Sequence, residues 1–136
     1  VNLAAAVAAR WAADDELAAL LAEYEGGPAI VVADEDTAPE GVPSPCVVIV
    51  GVVSDEDDGD KSTDGRDRTV TAFVFTDATG STKRVNEIAE RCRALVHRQP
   101  EGLAPGAWMA SASIAVVKDD PSVYSRQVDV RVRSES

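Results

Sequence analysis

Apolar residues along this chain follow two periods, and the places where one gives way to the other outline the fold. Leu3, Val7 and Trp11 recur at four-residue spacing among alanines, one face of a helix, and Asn2 stands where its cap belongs. Run unbroken to Tyr24, that helix would carry Arg10 and Asp14 on the same face as Leu3 and Leu21. A break near Asp14 is therefore expected. Asp14 or Asp15 then caps a second, shorter helix with the face Leu17, Leu20, Leu21 and Tyr24, ended by Gly26-Gly27-Pro28.

The period then drops to two. Ala29 to Ala33 is a short apolar run that reads as a strand, and the acidic stretch Asp34 to Pro45, with three prolines, reads as an extended loop. Cys46 to Val53 is β-branched and nearly continuous, the pattern of a strand buried on both faces. Ser54 to Arg68 is dense in Asp, Gly, Ser and Thr and is expected to be a mobile acidic loop. In Thr69 to Thr76, Val70, Ala72 and Val74 alternate with Thr71, Phe73 and Phe75, a further strand.

Helical spacing returns after Ser81 or Thr82, either of which can cap. Val85, Ile88, Ala89, Cys92, Leu95 and Val96 make one apolar stripe, while Lys83, Arg84, Glu87, Glu90 and Arg91 face away. Glu87 and Arg91 stand at the i, i+4 spacing of a favourable ion pair. Pro100 to Gly106 is a loop, and Ala107 to Val117 and Val123 to Arg133 read as a hairpin. In its second strand Val128, Val130 and Val132 alternate with Gln127, Asp129, Arg131 and Arg133, so one face is wet. No repeat or linker divides residues 1–136. The order predicts a single α+β domain: a mostly antiparallel sheet of four or five strands with helices packed on one face.

Length and charge narrow the function. At 136 residues the chain suits one domain with a real core. Aromatic residues are only 4%, leaving few flat faces for stacking bases or sugars. A net charge of −11 opposes any grip on a phosphate backbone, which needs clustered Lys and Arg. The alanine-rich start lacks a basic segment and is interrupted by Arg10, so no signal peptide is expected. No apolar run approaches the roughly 20 residues that span a bilayer, so a soluble protein made in a cytoplasm, without membrane partners, is expected.

Candidate chemistry is thin. Cys46 and Cys92 have no neighbouring ligands at zinc spacing and read as buried free thiols. His97 sits off the apolar stripe beside Arg98 and reads as a solvated helix-end residue that complements the dipole. The acidic run invites a calcium reading in a frame starting at Asp60. That frame puts Thr71 where a bidentate carboxylate is required, and strands rather than helices flank it. Gly26-Gly27 and Gly102 to Gly106 do not open helices ahead of a Lys-Ser/Thr pair, so neither is a phosphate loop. Trp11 and Trp108 read as core, with interface anchoring the alternative. No catalytic residue, cofactor site or metal site is assigned, and an enzyme is not expected.

The ordered features do resemble a known family. They are the Leu3-to-Leu21 helical stretch with its Ala13-to-Leu17 break, and the Pro43-Ser44-Pro45 entry into the Cys46-to-Val53 strand. The polar loop, the Thr69-to-Phe75 strand, the Gly80-led helix, the Gly106-Ala107-Trp108 strand and the closing Val123-to-Arg133 strand complete the set. This order, over nearly the whole chain, is similar to the tail-terminator (tail-completion) proteins of siphophages. The resemblance implies a hexameric ring that caps the tail tube, stops its polymerisation and offers the surface on which the head docks. Its partners would be its own copies, the tail tube protein and a head-tail connector or neck protein, with DNA passing through unbound. The protein would reside in the virion tail, and in the host cytoplasm during assembly.

Two surfaces are expected to matter in such a ring. Asp55, Asp57, Asp58, Asp60 and Asp64 would lie on the lumen or end face, where acidity repels DNA, or else on an outer surface without a partner. Lys83, Arg84, Glu87, Arg91, Arg131 and Arg133 are candidates for contacts between subunits. The readings that compete are another head-tail connector or neck ring, and a small dimeric α+β regulatory module with a ligand pocket between sheet and helices.

Overall fold

A computed structural model describes residues 3–32, 41–57, 65–77, 81–97, 107–119 and 123–135. The first helix, α1 (Leu3–Ala12), buries Leu3, Ala4, Val7 and Trp11, the stripe read from the sequence. It stops where expected. Asp14 adopts extended backbone angles and its carboxylate accepts the Leu17 N–H at 2.8 Å, capping α2 (Asp15–Leu20).

The second helix is shorter than the sequence suggested. It ends at Leu20, and Tyr24 belongs instead to a two-residue strand β1 (Glu23–Tyr24), paired with β2 (Gly27–Pro28). Glu25 and Gly26 between them both take positive φ, 51° and 82°, the combination a tight type I′ hairpin requires. That tight turn overrides the helical spacing of Tyr24.

One five-stranded sheet follows, from β3 (Ile30–Val32), β4 (Cys46–Asp57), β5 (Gly65–Asp77), β6 (Ala107–Asp119) and β7 (Val123–Glu135), in the spatial order β3-β4-β5-β7-β6. β3 runs parallel to β4, and every other neighbouring pair is antiparallel. The stretch expected as a loop from Ser54 to Arg68 is strand at both ends, since the β4–β5 ladder runs on to Asp57↔Arg66. Residues 58–64 of that stretch lie outside the described residues. The β5–β7 ladder holds one register from Gly65↔Glu135 to Asp77↔Val123. The strands that flank it are each interrupted twice: β4 between Ile49 and Gly51 and between Val52 and Ser54, β6 between Trp108 and Ser111 and between Val116 and Lys118. Gly51, at φ 114°, supplies the backbone one of these bulges needs.

Helix α3 (Lys83–Val96) joins β5 to β6 and packs with α1 and α2 on one face of the sheet. Val85, Ile88, Ala89, Cys92 and Val96 are buried, and Leu95 packs at the margin. They meet Val70, Ala72 and Val74 of β5 and Val128, Val130 and Val132 of β7. Trp11 is fully buried there and donates its indole N–H to the Cys92 carbonyl at 3.0 Å, so it is core and not an interface anchor. The side chain of Trp108 lies outside the described set.

The opposite face is divided. At the β3–β4 end a small second cluster of Ala29, Cys46 and Val48 is covered by Tyr24, Val31, Val42 and Phe75. Toward β7 the face is polar: the Thr71 hydroxyl donates to Asp129 at 2.8 Å, and Gln127 donates to both oxygens of the same carboxylate.

Candidate assembly surfaces

Three parts of the surface combine charge with fixed geometry. The first is the α2–α3 seam. Arg91 grips Asp14 with two parallel bonds, Nε to Oδ2 at 2.9 Å and Nη2 to Oδ1 at 2.8 Å, and reaches Glu16 with Nη1 at 3.0 Å. Asp14 therefore caps α2 and anchors α3 at once. The Arg91 guanidinium, and next the Leu17 N–H, hold its carboxyl below the usual range against the opposing effect of burial. Arg91 does not pair with Glu87 as the helical spacing suggested; Glu87 faces Lys83 instead, at 3.9 Å. Lys83, Arg84 and Glu87 remain an exposed ridge, with Arg84 donating to the Leu20 carbonyl at the end of α2. Beside the ridge runs an open groove lined by Glu16, Ala19, Leu20, Glu87, Glu90, Arg91 and Ala94.

The second part is the polar face of the sheet. Arg131 is exposed there, beside the Thr71–Asp129–Gln127 cluster, and the side chain of Arg133 is outside the described set. The third is the far end of the β4–β5 hairpin. The register sets Asp55 opposite Arg68 and Asp57 opposite Arg66, while Asp58, Asp60 and Asp64 lie outside the described residues. Thr71, at the place where the calcium frame requires a carboxylate, lies buried in β5 with its hydroxyl on Asp129.

Two residues were misread or missed by local pattern. His97 is not a solvated helix-end residue: it is half-buried, and its Nδ1 accepts the Ala112 N–H at 3.0 Å. Arg126 is 4% exposed, its Nε donating to Asn86 Oδ1 at 2.9 Å and its Nη1 to the Ser125 carbonyl at 3.1 Å. Its phase was visible, since it shares the inward alternation of Val128, Val130 and Val132.

Both thiols are buried and free, as expected. Burial, reinforced by the Asp77 charge, pushes Cys46 up to about 11, and burial raises Cys92 further. Neither is a thiolate nucleophile near neutral pH. Among the described residues no cluster of three or more His, Cys, Asp or Glu could hold a metal ion, and no helix is long and apolar enough to cross a membrane. The space between sheet and helices is filled by fully buried side chains of the core, Trp11, Leu17, Ile49 and Ile88 among them.

The described residues thus form a packed α+β domain that carries most of its charge on the surface, with Arg126 the buried exception. The family model described as "Tail completion protein gp17" matches residues 5–135, and the chain belongs to that family. It is a structural protein of the virion tail. A solved chain from the virion of a native gene transfer agent particle shares the fold. The two align over 99% of this chain and 96% of the other, with a TM-score of 0.73 and 23% sequence identity. No match was found among curated protein sequences.

Proposed function

We propose that the chain forms a hexameric ring at the end of the tail tube, stops tube polymerisation there, and presents the surface on which the head docks. The observation that carries this reading is the family match, which runs through nearly all of the domain and therefore involves its core, its seam and both sheet edges. Tube termination is a steric and interfacial task, and it suits a module whose interior is filled and which carries most of its charge on the surface. The partners are other copies of this chain, the tail tube protein, and a head-tail connector or neck protein. DNA passes through the ring without specific binding, which a net charge of −11 favours.

In this reading the hairpin end carrying Asp55 and Asp57, with Asp58, Asp60 and Asp64 beyond it, lines the lumen or the ring's end face. Lys83, Arg84, Glu87 and Arg131 lie at contacts between subunits, along with Arg133. Arg91 contributes by holding α3 to the Asp14 cap, so its effect on the ring is through the seam.

The test is native mass across a concentration series, with negative-stain images of the largest species and of purified tube ends after addition of the protein. Sixfold rings with a central hole that cap tubes are expected. A stable dimer at all concentrations would overturn the ring. Rings that ignore tube ends and attach at the portal side would identify a neck ring instead. In the same assay, Asn at Asp57, Asp58, Asp60 and Asp64 is expected to change capping or DNA passage. Unchanged capping and ejection would move this loop to the outer surface.

A further inference from the structure

The sheet ends in two edges, and an edge presents a row of backbone donors and acceptors to any approaching strand. Proteins guard such edges with charges or proline. From Ala107 to Val117 the β6 edge has neither, in a chain of which 27% is charged. Its two bulges bracket Ser111 to Val116 and leave that stretch regular. Val116 is 67% exposed, and on the other edge Val32 is 57% exposed. Among the described residues these are the exposed large hydrophobics, one on each edge.

The backbone phases of the two edges match. The Ala112 N–H goes to His97 and so points away from β7; by alternation the backbone groups of Ile114 and Val116 also point outward. His97 occupies the edge at Ala112, which leaves Ile114 to Val116. On the other side the Val47 N–H donates to the Ala29 carbonyl at 2.9 Å, which turns Ala29 and Val31 toward β4 and Ile30 and Val32 outward.

Directions and faces agree as well. β3 and β4 run one way and each later neighbour reverses, so β6 runs opposite to β3. Ile30 and Val32 stand in register with Val47 and Ile49, whose side chains face the helices. Ile114 and Val116 stand in register with Val128 and Arg126 on that same face. A copy placed edge to edge, helices on the same side, meets β6 with an antiparallel β3, and four β-branched side chains come together on one face.

We infer that β6 of one subunit takes β3 of a second copy of this chain, with Ile30–Val32 lying antiparallel to Ile114–Val116. The contact joins two different patches, so it repeats head to tail and closes into a ring where the rotation allows. It rests on the ring reading above and supplies that ring's interface.

Val116→Lys blocks the β6 edge and Val32→Lys blocks the β3 edge. Both positions are exposed, so far-UV circular dichroism is expected to match the parent chain. At a concentration where the parent assembles, native mass is expected to show each variant alone as monomer. An equimolar mixture is expected to give one-to-one heterodimers and nothing larger, because V32K keeps a working β6 and V116K a working β3. Rings formed by both variants overturn this interface and leave the ring itself standing. V32K dimers beside V116K monomers show β6 pairing with β6 and overturn β3 as its partner. A parent chain that stays monomeric throughout, even with tube ends present, overturns both the interface and the ring.

Discussion

The two faces of the sheet are built from the same strands and do different work. On the helix-bearing face Val70, Ala72, Val74, Val128, Val130 and Val132 are buried beneath three helices in one continuous core. On the other, the apolar cluster is the small one around Ala29, Cys46 and Val48, and beyond it Phe73, Ser125 and Thr71 are also buried, with Thr71, Gln127 and Asp129 bonded to each other toward β7. A residue step along β5 or β7 switches from one regime to the other. Stability therefore concentrates on one face, which leaves the other face and the edges free to be shaped for partners.

The largest test of that division is Trp11→Ala. Trp11 is fully buried in the helix-side core and donates its indole N–H to the Cys92 carbonyl. Truncation of a buried tryptophan costs about 3–5 kcal/mol, and urea unfolding is expected to show a loss of that order. A loss below about 1 kcal/mol, the size of a mild surface effect, would mean that this core is not the main source of stability.

Asp14 tests the seam that holds α2 and α3 to that core. Asp14→Ala removes an N-cap and is expected to cost about 1 kcal/mol at neutral pH, whereas Asp14→Asn keeps an acceptor for the Leu17 N–H and loses the charge held by Arg91. The pH dependence has a definite sign. The folded carboxyl lies below its ordinary 3.8, so its stabilisation is complete above that value and is lost as pH falls through the lower folded value. Urea midpoints of the parent and of Asp14→Asn are thus expected to differ at pH 7 and to converge as pH drops below the ordinary carboxylate range. A gap that stays constant down to acid would show that the ion pair contributes nothing.

Much of this fold was legible in the sequence because its signals are local. The α3 stripe, the inward phase of Val128 to Val132 and the Asp14 break each follow from residues a few positions apart. What was not legible depends on residues distant in sequence. Arg91 meets Asp14, 77 residues away, in preference to the helical neighbour Glu87, and His97 meets Ala112 only once β6 docks beside α3. The acidic composition of Ser54 to Arg68 reads as loop, yet the ladder extends through Asp57 and Gly65 because partner strands supply pairing that composition does not reveal. The edges were equally hidden: an uncharged strand from Ala107 to Val117 becomes informative only when the strand order puts it outermost.

The smallest expected effect probes the polar face. Thr71→Val keeps β-branching and nearly the same shape, and removes one donor to Asp129, which retains two bonds from Gln127. A net loss of about 0.5–1.5 kcal/mol is the usual worth of such a bond, and the lower end is expected here, measured by urea unfolding beside Trp11→Ala. If stability barely moves while assembly measured by native mass falls, the cluster is serving a partner, because the isolated fold does not need it. If stability falls by as much as in a core truncation, the polar network is itself structural and the contrast between the faces dissolves. The comparison works because Thr71 and its neighbours Val70 and Ala72 share a strand, so only the face differs.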